Sequence, residues 1–269
     1  MTTPPKIYST EAIVLKHTPL GEADYLLTMY TPNRGKTRAV AKGARRVKSR
    51  LGGHLEPLMR ASLLMARGQN LDVVSQAEAL EGFRTVREDL QRVSQALCMA
   101  ELVDAITPEE QPNYPIYRLF LESLRRLEGD APPSLMPFFQ LHLLEQSGFR
   151  PELYRCVECD STLAPGLHRF APDRGGTLCV SCHPPGLTIL PLSLDTLKVL
   201  RFLQREVYNI AARLHLEPGT LLEMERLLGA LLRCVLEREV KASRFLHQVS
   251  QDDRERAEAA ASPANNIKE

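Results

Sequence analysis

The chain has no tryptophan, and aromatic residues make up only 6% of it. It has no run of about 18 apolar residues, the minimum for a membrane-spanning helix. Its first residues, MTTPPKIYSTEAIV, carry neither the basic start nor the long apolar core of a secretory signal, so the chain is read as cytoplasmic. G-x-S-x-G, H-E-x-x-H and the kinase motifs are all missing, and no internal repeat is found. No nucleophile–base pattern therefore stands out, and no catalytic residue is assigned.

Net charge is also nearly absent, at +1. That balance hides an asymmetry. Residues 1–80 hold 12 Lys/Arg against 6 Asp/Glu, which leaves 22 against 27 for the remainder. Within the first part lies RGKTRAVAKGARRVKSR, residues 34–50, with eight basic residues and no acidic one. Cations concentrated on one unit are the electrostatic footprint of a polyanion binder. The candidate contacts are Arg34, Lys36, Arg38, Lys42, Arg45, Arg46, Lys48 and Arg50. If roughly six of them met phosphates, log affinity for a single strand would fall with log salt at a slope of about −4. Gly35-Lys36-Thr37 is no phosphate-binding P-loop. Tyr30 stands where its first glycine belongs, and Thr31-Pro32-Asn33 reads as a turn leading into a strand.

Short runs of alternating polarity over residues 7–16, 23–30, 35–42, 58–67 and 71–79 predict five strands with turns between them. Such a unit fits an OB-fold barrel, with an SH3-like barrel as the structural alternative. OB-folds bind single strands in a basic groove with aromatic stacking, and Tyr8, Tyr25 and Tyr30 are the candidate rings. On the fifth run the expectation is that Asp72, Gln76 and Glu78 face water.

After Phe83 the period changes to that of helices. A stripe of Leu90, Val93, Leu97, Val103 and Ile106 predicts the first long one. Residues 117–127 and 135–144 predict two more, with Ser134 as N-cap of the second. Helix returns after Ser193, and Thr220-x-x-Glu223 reads as a capping box opening the last helix. Cys98 and Cys234 fall within these stretches and are expected in the core. The sequence after about residue 250 has almost no bulky apolar residue and is expected to be disordered.

Between the helices stand Cys156-Val-Glu-Cys159 and Cys179-Val-Ser-Cys182, separated by 19 residues. Each C-x-x-C turn brings two thiolates to one side of a metal, and two such turns complete a four-sulfur shell for one structural Zn2+ per chain. Four protein ligands leave no open coordination position, so the ion would supply folding energy rather than catalysis. Cys179-Val-Ser-Cys182-His183 also matches a haem-attachment pattern, but that chemistry belongs outside the cytosol.

The residues thus describe an α+β multidomain protein. It has an N-terminal five-stranded OB-fold β-barrel, then an α-helical domain with an inserted four-cysteine zinc module. The expected parts are residues 1–81 for the barrel, 82–150 and 191–249 for the helical domain, 151–190 for the zinc module and 250–269 for the tail.

Specific segments resemble the bacterial RecO family of recombination mediators. They are Asp24-Tyr25-Leu26-Leu27-Thr28, Thr31-Pro32, Gly35, and above all Val40-Ala41-Lys42-Gly43-Ala44-Arg45-Arg46, followed by Lys48-Ser49 and Leu55-Glu56-Pro57. The resemblance covers about residues 7–246 and implies a nucleoid-associated DNA repair and recombination protein. It implies binding to single- and double-stranded DNA, strand annealing, work with RecR and single-strand-binding protein, and help in loading RecA recombinase. By resemblance the DNA role falls on Lys42, Arg45, Arg46 and Lys48; the other four cations are added from charge and spacing. The alternative is an RNA-binding or transcription-associated module built from a barrel and a zinc knuckle.

Overall fold

The computed structural model describes residues 6–129, 131–164 and 166–237. The expected tail at residues 250–269 and residues 238–249 of the expected helical domain lie outside that range. No helix among the described residues is long and apolar enough to cross a membrane.

Five strands form the first unit: β1 (Ile7–Leu20), β2 (Asp24–Thr31), β3 (Gly35–Ala41), β4 (Arg60–Ala66) and β5 (Asp72–Glu81). They close in the order β1-β2-β3-β5-β4. The long β1 makes this possible. Its first half pairs with β4 and its second half with β2, with a register shift between Val14 and Lys16. The parallel pairs Ala39↔Asp72 and Val40↔Val73 complete the ring. This is the OB order, and a closed ring leaves no long free edge.

Leu27, Met29, Ala39, Ala41, Leu63, Met65 and Val74 fill the barrel. The expected alternation on β5 breaks at Ser75, because Leu64 pairs with Gln76 and Met65 with Val74. This bulge puts one extra residue on β5 and turns the strand's later side chains over. Asp72 is accordingly not on the wet side: it accepts hydrogen bonds from Tyr8 (2.5 Å) and Arg34 (3.0 Å).

The second unit is helical: α1 (Arg84–Glu88), α2 (Leu90–Ile106), α3 (Tyr114–Leu127), α4 (Leu135–Gln146), α5 (Leu194–Arg205), α6 (Tyr208–Ala211) and α7 (218–237). Its core is continuous with the barrel's outer wall, where Ile13, Leu15, Tyr30 and Leu58 pack among the helices.

Three details differ from the sequence reading. The buried stripe of α2 is Ala96, Met99, Ala100, Val103 and Ile106, while Leu90 is 83% exposed and Leu97 is exposed. Small alanines let α2 lie close to its neighbours, so large residues do not mark its inner face. Ser134 makes no cap hydrogen bond, and its hydroxyl reaches the Ala211 carbonyl instead. Glu223 does not close a box with Thr220. It accepts from Ser193 N (2.9 Å), Ser193 Oγ (2.6 Å) and Thr196 Oγ1 (2.5 Å), and so braces Ser193, the N-cap of α5, from α7.

A three-stranded sheet is inserted between α4 and α5. It has the order β7-β6-β8, with β6 at His168–Ala171, β7 at Gly176–Leu178 and β8 at Leu190–Leu192. Phe170, Leu153 and Leu192 tie it to the helical core.

Candidate nucleic-acid interface and metal centre

The basic run splits into two halves. Arg34, Lys36 and Arg38 lie on or beside β3 and meet Asp72 of β5 and acidic residues of the helical unit. Arg34 pairs with Asp72 (3.0 Å) and Glu110 (2.7 Å), and Arg38 with Glu109 (3.0 Å). Lys36 donates to the Asp104 carbonyl (2.5 Å) and lies 3.5 Å from its carboxylate. Backbone pairing holds the segment there, since Glu110 N donates to Lys36 O (2.9 Å). Gly35 is required at the contact: a Cβ on it would sit 1.9 Å from Gln111 O.

The other half is a series of turns after β3. Lys42, Arg45, Arg46, Lys48 and Arg50 are all exposed, and among the described residues none has an acidic partner. These turns are pinned rather than free. Ala44 is buried in the barrel core. Gly43 takes a left-handed φ of 67°, and its N–H donates to Asp24 Oδ1 (2.7 Å). Arg45 donates from its backbone to Ala23 O (2.9 Å) and from its guanidinium to Gly21 O (3.0 Å). Ser49 Oγ accepts from Leu51 and Gly52. Lost chain entropy is therefore largely settled before any ligand arrives. Five exposed guanidinium and ammonium groups without ion-pair partners among the described residues, on a loop pinned by the barrel, offer positive charge to a phosphate backbone.

The three tyrosines have other work. Tyr30 is fully buried under the helices, and burial pushes its hydroxyl up to about 12. Tyr8 is also pushed up to about 12, first by burial and then by its hydrogen bond to Asp72. Tyr25 stacks on His17 with centroids 4.1 Å apart.

The four cysteines come together. All their sulfurs lie within 4.8 Å of one another, and Cys159 Sγ is 3.9 Å from Cys179 Sγ. A tetrahedral shell with Zn–S of about 2.3 Å needs sulfurs roughly 3.8 Å apart, so the donor set fits a metal ion. The bridge Arg155↔Thr162 closes the loop that holds the first pair, and the second follows β7 directly. Gly176 lets the two chain segments approach, since a Cβ there would meet Glu152 O and Val157 Cγ1 at 2.6 Å each. Burial opposes ionisation of Cys156, yet backbone N–H groups of Cys179, Cys159 and Glu158 outweigh it and hold the thiol at about 6.

His168 and His183 spend ring nitrogens on the carbonyls of Ala164 and Ser181. Arg169 was not singled out by the sequence. Its guanidinium donates to the carbonyls of Cys179 (3.1 Å), Val180 (2.8 Å) and Cys182 (3.0 Å), bracing the second turn. Spacing identifies sulfur ligands but carries no signal for such a brace. Cys98 is exposed and Cys234 partly so, which corrects their expected place in the core.

Sequence profiles of two known domains match the chain: "Recombination protein O N terminal" over residues 5–83 and "Recombination protein O C terminal" over residues 87–244. The chain is 41% identical over 247 residues to the "DNA repair protein RecO" of Roseiflexus sp. (strain RS-1), covering 91% of this chain and 87% of that one. It is 34% identical over 245 residues to the protein of that name from Dehalococcoides mccartyi (strain CBDB1), covering 91% and 96%. A third, from Symbiobacterium thermophilum, is 36% identical over 245 residues, covering 89% and 96%.

Proposed function

Since the chain belongs to the recombination protein O (RecO) family, we propose that it is a DNA repair and recombination mediator, not an enzyme, acting through the turns after β3. It binds single- and double-stranded DNA, anneals complementary strands and assists recombinase loading on DNA coated with single-strand-binding protein. RecR and single-strand-binding protein are its direct partners and RecA its indirect one, as the family resemblance implies. The observation that carries the DNA role is the set of five exposed cations without acidic partners on a pinned loop. Annealing needs two polyanions held close with their charge neutralised, and no bond-making residue.

In this reading the barrel, residues 1–81, is the DNA-binding unit. Cys156, Cys159, Cys179 and Cys182 hold a structural Zn2+ that cross-links the inserted module.

The test is a fluorescence annealing assay with complementary oligonucleotides, bare or coated with single-strand-binding protein, without nucleotide. The wild type is expected to anneal both, and Arg45→Glu with Arg46→Glu to cut the rate by at least about tenfold while melting normally. Equal annealing by the double variant would remove the loop from the mechanism, and a preference for RNA would favour a transcription-associated role.

A further inference from the structure

Strands β2 and β3 form the usual ligand face of an OB-fold. Here that face is occupied: Tyr30 is buried under the helices, and Lys36 and Arg38 are paired with Asp104 and Glu109. A second path is open to a strand held by the turns after β3.

A trench of about 640 Å³ opens where that loop ends, at Arg50 and Leu51. It runs along β1, β4 and β5. Strand pairing places Ser9 opposite Leu64, Leu64 opposite Gln76 and Ser62 opposite Glu78, so these side chains share one face. The bulge residue Ser75 also lines it. Among the described residues, the side chains of Ser9, Ser62, Ser75 and Gln76 make no hydrogen bond, so their donors and acceptors are available to a ligand. The volume lies in the range of sites that enclose small ligands, large enough for a nucleotide base and sugar.

Charge fixes the orientation. Arg50 lines the trench, with Lys48 and Arg46 preceding it along the loop. Glu78 is the carboxylate of the trench and repels phosphate, but it accepts hydrogen bonds from exocyclic amines.

We propose that this trench receives the bases of a single DNA strand whose phosphates rest on Lys48 and Arg50. Serine hydroxyls, Gln76 and Glu78 meet the base edges. A duplex keeps its bases stacked and their Watson–Crick edges paired, so its bases do not enter, and the trench separates single-strand from duplex binding on one basic loop. The inference rests on the DNA-binding reading above.

The test is fluorescence anisotropy with three probes: an all-C single strand, an all-T single strand and a blunt duplex. Ser62→Phe fills the trench without adding or removing a charge. It is expected to weaken single-strand binding about tenfold, leaving the salt slope and duplex affinity unchanged. Wild type is expected to prefer all-C over all-T, because cytosine offers an amine to Glu78 and thymine does not. Glu78→Ala is expected to abolish that ratio.

Wild-type single-strand affinity in a normally melting Ser62→Phe overturns the trench. If that variant fails to fold, an all-C to all-T ratio unchanged in Glu78→Ala overturns it. If wild type binds no probe, the DNA-binding reading itself fails, which is a distinct result.

Discussion

Cys159 is the exposed member of the sulfur quartet and the cleanest single-residue test of the metal. Cys159→Ser removes one of four ligands, and a structural zinc site is folding free energy. The expected outcome is loss of bound zinc by atomic absorption and a melting temperature several degrees lower. A variant that keeps its zinc would show that three sulfurs suffice. At this scale the sequence was informative where chemistry depends on spacing. Two C-x-x-C pairs identify the quartet, and the fold adds only the distances. It was silent where partners come from afar. Nothing in RGKTRAVAKGARRVKSR says that Arg34, Lys36 and Arg38 meet Asp72, Asp104, Glu109 and Glu110, because those carboxylates lie at least 38 positions away.

Among the elements, α5 starts at its own N-cap Ser193, whose hydroxyl accepts from Thr196 N (3.2 Å), and Glu223 of α7 braces that cap. Glu223 satisfies the Ser193 amide and two hydroxyls at its start. Weakening an N-cap costs about 0.5–2 kcal/mol. Glu223→Ala is therefore expected to lower the melting temperature by about 1–8 °C, while Thr220→Ala leaves it nearly unchanged. Calorimetry of the two variants checks this; equal effects would restore the local box that the sequence suggested. The five strands were legible because period-two patterning survives in a barrel with a dry inside. The bulge at Ser75 was not, since it depends on register with β4. Nor was the inner face of α2, where close packing selects Ala96 and Ala100 over Leu90 and Leu97.

Across the whole molecule, two charge patterns make opposite demands on solution conditions. If only the five unpartnered cations meet phosphates, log affinity for single strands falls with log salt at a slope of about −3.5; all eight would give about −5.6. Anisotropy over roughly 50–200 mM salt separates the two. The second pattern joins barrel to helices. Arg60 bonds Glu11 (2.7 Å) and Glu81, and Arg125 binds Glu81 (2.7 Å) and Glu122 (2.8 Å). Hydrogen bonds from Arg125 and Arg60 hold the Glu81 carboxyl below its ordinary value against the opposing effect of burial. A carboxylate lowered in the folded state stabilises it above the unfolded value, and that share is lost as pH falls through the folded one. The melting temperature is expected to drop more steeply below about pH 4.5 in the wild type than in Glu81→Gln, measured by calorimetry across an acid series.

The two family profiles meet between residues 83 and 87, as if the chain were a pair of independent parts. Ile13, Leu15, Tyr30 and Leu58 belong to the first part by sequence and to the helical core by contact. Cutting the chain at Gly82 would strand those side chains in water on one fragment and leave an unfilled hollow in the other. Inheritance in two pieces is thus no guide to folding in two pieces: neither half can be prepared alone without losing the wall that the other supplies.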